Sequence, residues 1–264
     1  MGSKEPFVQA RAAHGSGVEM SVSKTPADLA EKILAEKIDQ VAAVLAQAVR
    51  EHAPVIFSNS MGAEDMLLTD LINRYQPDIA MFSLDTGRLP QETYDLMQTV
   101  HKRYPVPLQI FFPEAVQVEK YVAQNGVNGF YDSVALRQAC CHMRKVEPLR
   151  RALAGKGAWI TGLRREQAAT REGLQAASFD TDHGLYKYNP LLDWSNAEVW
   201  AYIKQHDVPY NKLHDQFYPS IGCAPCTRAV AVGEDMRAGR WWWEDAQNKE
   251  CGLHVGKIIP LKSV

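Results

Sequence analysis

Pro54-Val55-Ile56-Phe57-Ser58-Asn59-Ser60-Met61-Gly62 is an apolar run that breaks into a loop of small residues, and a helical pattern through Met66, Leu67, Asp70 and Leu71 comes directly after it. Strand, small-residue loop and helix in that order open an α/β unit. The alternation then repeats. Ile79 to Leu84 predicts a second strand that ends in Asp85-Thr86-Gly87-Arg88, a helix begins near Pro90 and runs towards Tyr104, and Leu108 to Phe112 predicts a third strand. Such repetition argues for a parallel or mostly parallel sheet with helices on both faces. Its ligand site should lie outside the carboxyl ends of the strands, where the two loops are.

Upstream, Thr25, Pro26 and Asp28 supply a hydroxyl cap, a first-turn proline and a carboxylate three residues after the cap. Leu29, Ile33, Ile38, Val41, Leu45 and Val49 make the apolar stripe of a helix that ends near His52. Residues 1 to about 23 are polar, small-rich and aperiodic, and read as a loosely held leader. Downstream come a helix near 114 to 124, a Gly/Asn-rich break, the segment Cys140 to Leu153 and a strand at Ala158 to Thr161. A polar stretch, 163 to 183, is expected to be mobile, and Asn196 to His206 is an amphipathic helix with Ser195 as its cap. The chain therefore divides into residues 1–52, leader and N-terminal helix; 53–215, an α/β nucleotide-binding unit with the first cysteine pair; and 216–264, the second pair and a tail.

At 264 residues and 46% hydrophobic content the chain can bury a sizeable core. A formal charge of -2 gives no support to a broadly nucleic-acid-binding or membrane-seeking surface, so an anion site must be built locally. The N-terminus lacks the apolar core of a signal peptide and no stretch is long enough to span a bilayer, which points to the cytoplasm. There five cysteines remain thiolates, cluster ligands or transient redox species.

Ser58, Ser60 and Gly62 sit where backbone N–H groups and a helix N-terminus can face a phosphate, although the loop lacks the Lys-Ser/Thr ending of a Walker A motif. Small polar loops after strands are common, so this loop alone does not define a phosphate site. Leu84 is placed to border a purine.

The cysteines are an adjacent pair, Cys140 and Cys141, a Cys-x-x-Cys, Cys223 and Cys226, and one more, Cys251, beside Gly252 and His254. Four clustered thiolates suit a metal or iron–sulfur centre and the fifth is free for chemistry. Neighbouring residues seldom both reach one tetrahedral zinc, whereas a cluster offers several iron corners; iron–sulfur therefore leads, with a structural zinc or a redox dithiol as the other readings. Arg144 and Lys145 come after the first pair, Arg164, Arg165 and Arg171 after the next strand, and Arg237 and Arg240 precede Trp241-Trp242-Trp243. Fixed cations of this kind suit a substrate rich in anionic oxygens, although most charge runs are solvated faces and most tryptophans are core or interface anchors.

Six stretches carry a closer resemblance: Leu84-Asp-Thr-Gly-Arg-Leu89, Cys140-Cys141-x-x-Arg144-Lys145-x-x-Pro148-Leu149, Gly162-x-Arg-Arg165, Ser220-Ile-Gly-Cys-x-Pro-Cys-Thr-Arg228, Gly239-Arg-Trp-Trp-Trp-Glu244 and Lys249-Glu-Cys-Gly-Leu-His254. From about residue 54 to 254 the chain resembles the sulfonucleotide reductases, specifically the assimilatory adenylyl-sulfate (APS) reductases of bacteria. The resemblance implies an adenine nucleotide alpha hydrolase-like fold with a mobile C-terminal tail. It also implies an oxidoreductase of sulfate assimilation and cysteine biosynthesis, in which Cys251 attacks the sulfur of adenosine 5'-phosphosulfate, releases AMP and is left as an S-sulfonate. Thioredoxin or glutaredoxin then frees sulfite. It further implies one 4Fe-4S cluster on Cys140, Cys141, Cys223 and Cys226, and a homo-oligomer. Ser60, Gly62, Leu84 and Arg171 are carried over to the adenosine and its phosphate, and Lys145, Arg237, Arg240 and His254 to the anionic oxygens. The form Ser58-x-Ser60-x-Gly62 is similar to that of relatives using the 3'-phosphorylated nucleotide, which makes it the alternative substrate; a zinc-stapled nucleotide alpha-hydrolase is the more distant one.

Overall fold

The computed structural model describes residues 1–2, 26–167, 173–245 and 258–260. Helix α1, Pro26–His52, leads into β1, Val55–Ser58, then α2, Ala63–Tyr75, β2, Ala80–Leu84, α3, Gln91–Arg103, and β3, Leu108–Phe111. After α4, Ala115–Asn125, come α5, Val134–Cys141, α6, Glu147–Leu153, and β4, Ala158–Ile160. A hairpin of β5, Ala177–Asp180, and β6, Leu185–Tyr188, precedes α7, Asn196–Gln205, and β7 is Ile258–Pro260. These strands form one sheet in the order β3-β2-β1-β4-β6-β5-β7, parallel from β3 to β6 and antiparallel at β5 and β7.

Period-two alternation sends the strand side chains to opposite faces. Val55, Phe57, Met81, Ala158 and Ile160 pack with α1, α2 and α7, while Ile56, Phe82 and Trp159 pack with Leu149, Ala152 and Leu153 of α6. Helices on both faces, as the sequence predicts, result from strands that are apolar on both sides. The second half of the N-terminal helix buries its stripe, with Val41 and Leu45 in the core and Ile38 and Val49 packed against it, whereas Leu29 and Ile33 of the expected stripe are exposed and Leu34 is buried in the first half. Lys37 pairs to Glu198 of α7 at 2.7 Å. Ser195 caps α7 in a full capping box with Glu198. No helix among the described residues is long and apolar enough to cross a membrane.

One expectation needs correction. Within the stretch expected to be mobile, Ala177–Asp180 is strand β5, and Arg165–Gln167 forms a short 3-10 turn. Its polar composition conceals a buried arrangement, in which Asp180 holds His183 at 3.0 Å and Phe179 packs edge-on at 5.2 Å against Tyr186 of the partner strand. Residues 258–260 pair with β5 and extend the sheet, and the rest of the tail expected to be mobile lies outside the described residues.

Candidate active site

Strand order reverses between β1, whose next neighbour in sequence is β2, and β4 on its other side, and a crevice opens at such a point beyond the carboxyl ends. A cavity of about 260 Å³ occupies it. Its walls include the loop after β1, Leu84 at the end of β2 and Thr86 beyond it, Thr161 and Gly162 after β4, and Lys145, Arg237, Arg240 and Trp241 from more distant segments. Six of the residues singled out from sequence, Ser60, Gly62, Leu84, Lys145, Arg237 and Arg240, therefore meet around one space. Phe82, Leu149 and Trp159 add an apolar side suited to a purine. Arg171, Cys251 and His254 lie outside the described residues.

The loop after β1 is locked from within. Met61 holds φ +64, a left-handed conformation unusual for a side chain with a Cβ, while Asn59 Oδ1 accepts its N–H at 2.7 Å. Ser60 donates both its amide, at 2.7 Å, and its hydroxyl, at 2.5 Å, to Asp65 Oδ2. Burial pushes the Asp65 carboxyl up to about 6, against the bonds from Ser60 and Gly162 and with the help of neighbouring Glu64. Sequence reading passes over Asp65, because an acid in a helix's first turn reads as a complement to the dipole. It also passes over His214, which lines the cavity with its pKa lowered, mainly by burial.

A second, smaller void of about 20 Å³ lies between Cys140, Cys141, Cys223 and Cys226. Cys140 and Cys141 end α5, where the backbone widens into a π-helical turn over His142–Val146. That turn re-aims its own side chains, so Arg144 Nη1 reaches the carbonyl of Thr86 at 2.5 Å. The Thr86 hydroxyl lies 3.2 Å from Cys223 Sγ. Burial opposes ionisation of Cys223, but Lys145, the Thr86 hydroxyl, Arg240 and Arg144 outweigh it and hold this thiol below its ordinary value. Cys226 is pushed up to about 12, first by burial and then by the charge of Cys223. Burial also raises Cys140.

The four thiols would repel one another's charge if ionised, which a cation between them would relieve. Among the described residues no three His, Cys, Asp or Glu side chains are grouped as the ligands of a metal ion. Lys145 borders both the thiol void and the larger cavity. Arg137 and Arg240 each stand 4.8 Å from the ring of Trp241, and Arg137 forms a two-point ion pair with Glu244 at 2.9 and 2.8 Å.

A nucleotide-sized crevice at a switch point, ringed by cations and joined through one lysine to a nest of four thiols, defines an α/β nucleotide-binding protein with a site suited to an anionic substrate. A model of the phosphoadenosine phosphosulfate reductase domain matches residues 54–229. The chain is 55% identical over 217 residues to the adenosine 5'-phosphosulfate reductase of Allochromatium vinosum, covering 82% of this chain and 85% of that one. It is 54% identical over 228 residues to the enzyme of that name from Burkholderia cepacia, covering 86% and 91%. The chain belongs to the phosphoadenosine phosphosulfate reductase domain family, among the adenosine 5'-phosphosulfate reductases. In fold it is similar to the crystal structure of phosphoadenylyl-sulfate reductase from Candida auris in a phosphate complex, with TM-score 0.63 and 28% identity over 80% of this chain and all of that one. FMN adenylyltransferase from Candida glabrata aligns with TM-score 0.55 over 92% of this chain and 82% of its own, and at 15% identity that likeness shows the fold alone.

Proposed function

We propose that this chain reduces adenosine 5'-phosphosulfate to sulfite and AMP, with Cys251 as nucleophile and an external dithiol protein, thioredoxin or glutaredoxin, as reductant. The observation that carries the reading is the shared position of Lys145, which faces both the cation-ringed crevice and the four thiols. The nucleotide lies in the crevice, its purine against Leu84, Phe82 and Trp159 and its phosphate towards the loop after β1, with Arg171 assisting. Lys145, Arg237 and Arg240 neutralise the oxygens of the phosphosulfate, and His254 joins them from the tail.

The Cys251 thiolate forms a bond to sulfur while the bond from sulfur to the bridging phosphate oxygen breaks, and AMP departs with that electron pair. A thiol of the reductant then attacks Cys251 Sγ and expels sulfite, and its second thiol resolves the mixed disulfide, which supplies both electrons. Cys140, Cys141, Cys223 and Cys226 would hold a 4Fe-4S cluster, whose chemistry here is a fixed charge and a rigid mount beside the substrate. Four sulfurs spread around a common void suit separate iron corners better than one tetrahedral zinc ion. With those four committed, none remains to resolve Cys251 internally, hence the external dithiol. The roles of Cys251, His254 and Arg171 rest on the motif match.

Relatives at 50% identity and above bearing the name adenosine 5'-phosphosulfate reductase favour that nucleotide over its 3'-phosphorylated form. The test is sulfite release from anaerobically purified protein given both nucleotides in competition with a thioredoxin system. Turnover confined to the non-phosphorylated nucleotide supports the reading. Preference for the 3'-phosphorylated one overturns the substrate, and absence of sulfite overturns the reaction.

A further inference from the structure

The thiol void is also walled by Arg88, Phe130 and Pro225, none of which the chemistry above employs. Phe130 belongs to a single 3-10 turn, Gly129–Tyr131. From the next residue the Tyr131 hydroxyl donates to the carbonyl of Pro225 at 2.6 Å, in the middle of Cys223-Ala224-Pro225-Cys226. The Cys-x-x-Cys turn closes its own hydrogen bonds on the carbonyls of Cys223 and Ala224, and Tyr131 takes the next one along. A second tie runs through Arg88. Its carbonyl accepts the Ala224 N–H at 2.8 Å, and its guanidinium donates to the Val127 carbonyl at 2.6 Å and Asn128 Oδ1 at 3.0 Å, standing 4.9 Å from the centre of the Phe130 ring.

Outside these ties the rings continue. Tyr131 meets Trp243 edge-on at 4.5 Å, and Trp243 meets Trp242 edge-on at 4.8 Å. Tyr131 and Trp242 are 39% and 40% exposed, so the stack runs from the void to the solvent. An apolar shell around a metal centre controls access by water and solutes, and shell residues that orient ligands affect retention of the metal.

The geometry points to Tyr131 as a positioning residue that latches the Cys223–Cys226 turn over the void, with the aromatic stack as the cover that keeps solutes from the centre. This rests on the cluster reading above. Transient lifting of the turn is the opening through which iron is lost, and the Tyr131 hydroxyl opposes it. The hydroxyl and the ring contribute separately, so they can be removed separately.

The experiment compares full-length, iron-loaded wild type with Tyr131→Phe, which keeps the ring, and Tyr131→Leu, which does not. Iron transfer to a ferrous chelator and loss of the cluster's visible absorbance are tracked anaerobically, with nucleotide KM measured in parallel. Removing a hydrogen bond of ordinary net strength should raise the open population, and so the release rate, roughly fivefold in Tyr131→Phe. Tyr131→Leu should release iron faster still, and KM should stay at the wild-type value in Tyr131→Phe. Were Tyr131→Leu not to fold, Tyr131→Phe alone decides. Wild-type release rates in Tyr131→Phe overturn the latch, as does a denaturant dependence of release equal to that of global unfolding. Wild-type protein that takes up no iron overturns the cluster reading instead.

Discussion

Gly222→Ala places one methyl group against one guanidinium. A Cβ on Gly222 would lie 2.3 Å from Arg240 Nη2 and 2.6 Å from Arg240 Cζ, distances that no side chain tolerates. What it strikes is the far end of a flexible side chain, so Arg240 moves and the backbone beside Cys223 stays. Arg240 is only 7% exposed and is held by Ser220 Oγ at 3.4 Å, by the Ile221 carbonyl at 3.3 Å and by the ring of Trp241. Charge-assisted hydrogen bonds to an anionic oxygen contribute about 1.5–3 kcal/mol, so a displaced Arg240 should raise the Kd for AMP and the KM for substrate roughly 10- to 150-fold. Titration calorimetry with AMP and steady-state KM measure this in Gly222→Ala, Arg240→Ala and the double variant. Because both substitutions act through the same guanidinium, the double variant should bind no worse than Arg240→Ala, within about 0.5 kcal/mol. Wild-type affinity in Gly222→Ala, or losses that add in the double variant, would refute the reasoning.

Asp65→Asn should change how stability depends on pH. A carboxyl whose folded pKa, about 6, exceeds its ordinary 3.8 favours the fold while protonated; that contribution is complete below the lower value and is lost as pH rises through the higher. Its size is on the order of 3 kcal/mol, so the stability difference should shift by that much in favour of Asp65→Asn between about pH 4 and pH 7 in urea unfolding, and a constant difference contradicts the assignment. Arg137→Met strands Glu244, whose side chain is 4% exposed, and should cost about 3–5 kcal/mol, with Arg137→Met/Glu244→Leu recovering part of it. A loss under about 1 kcal/mol in thermal or chemical unfolding would show the pair to be dispensable. Cys251→Ser should still bind AMP but gain no adduct of about 80 Da in intact mass when mixed with substrate, and an adduct in this variant would move the nucleophile elsewhere.

Much of the α/β frame is legible residue by residue. The apolar runs at Val55–Ser58 and Ala80–Leu84 are buried on both sides and lack alternation, as central parallel strands do. Ser195 and Glu198 announce α7 through a reciprocal cap that needs no tertiary help. Strands β5 and β6 are harder to read, because Asp180 and Lys187 look solvated in sequence and are buried in the structure, Asp180 beside His183 and Lys187 4.6 Å from the ring of Trp159. The partner that makes such burial tolerable lies outside any local window. Asp65 escapes notice for a related reason, since only the closed loop reveals that its carboxylate takes both donors of Ser60.

Strands β1 to β4, helices α1 to α4 and α7, the Ser195 cap and the spacing of the cysteines as an adjacent pair, a Cys-x-x-Cys and one more are properties of short windows of chain, set by periodicity and nearest-neighbour chemistry. Sequence alone determined them. That Cys140 and Cys141 share a void with Cys223 and Cys226, that Lys145 serves two cavities, and that Arg137 finds Glu244 were decided by the tertiary structure. These meetings depend on the strand order reversing between β1 and β4 and on a π-helical turn re-aiming its own side chains. Both are outcomes of packing between distant segments, which no local pattern encodes.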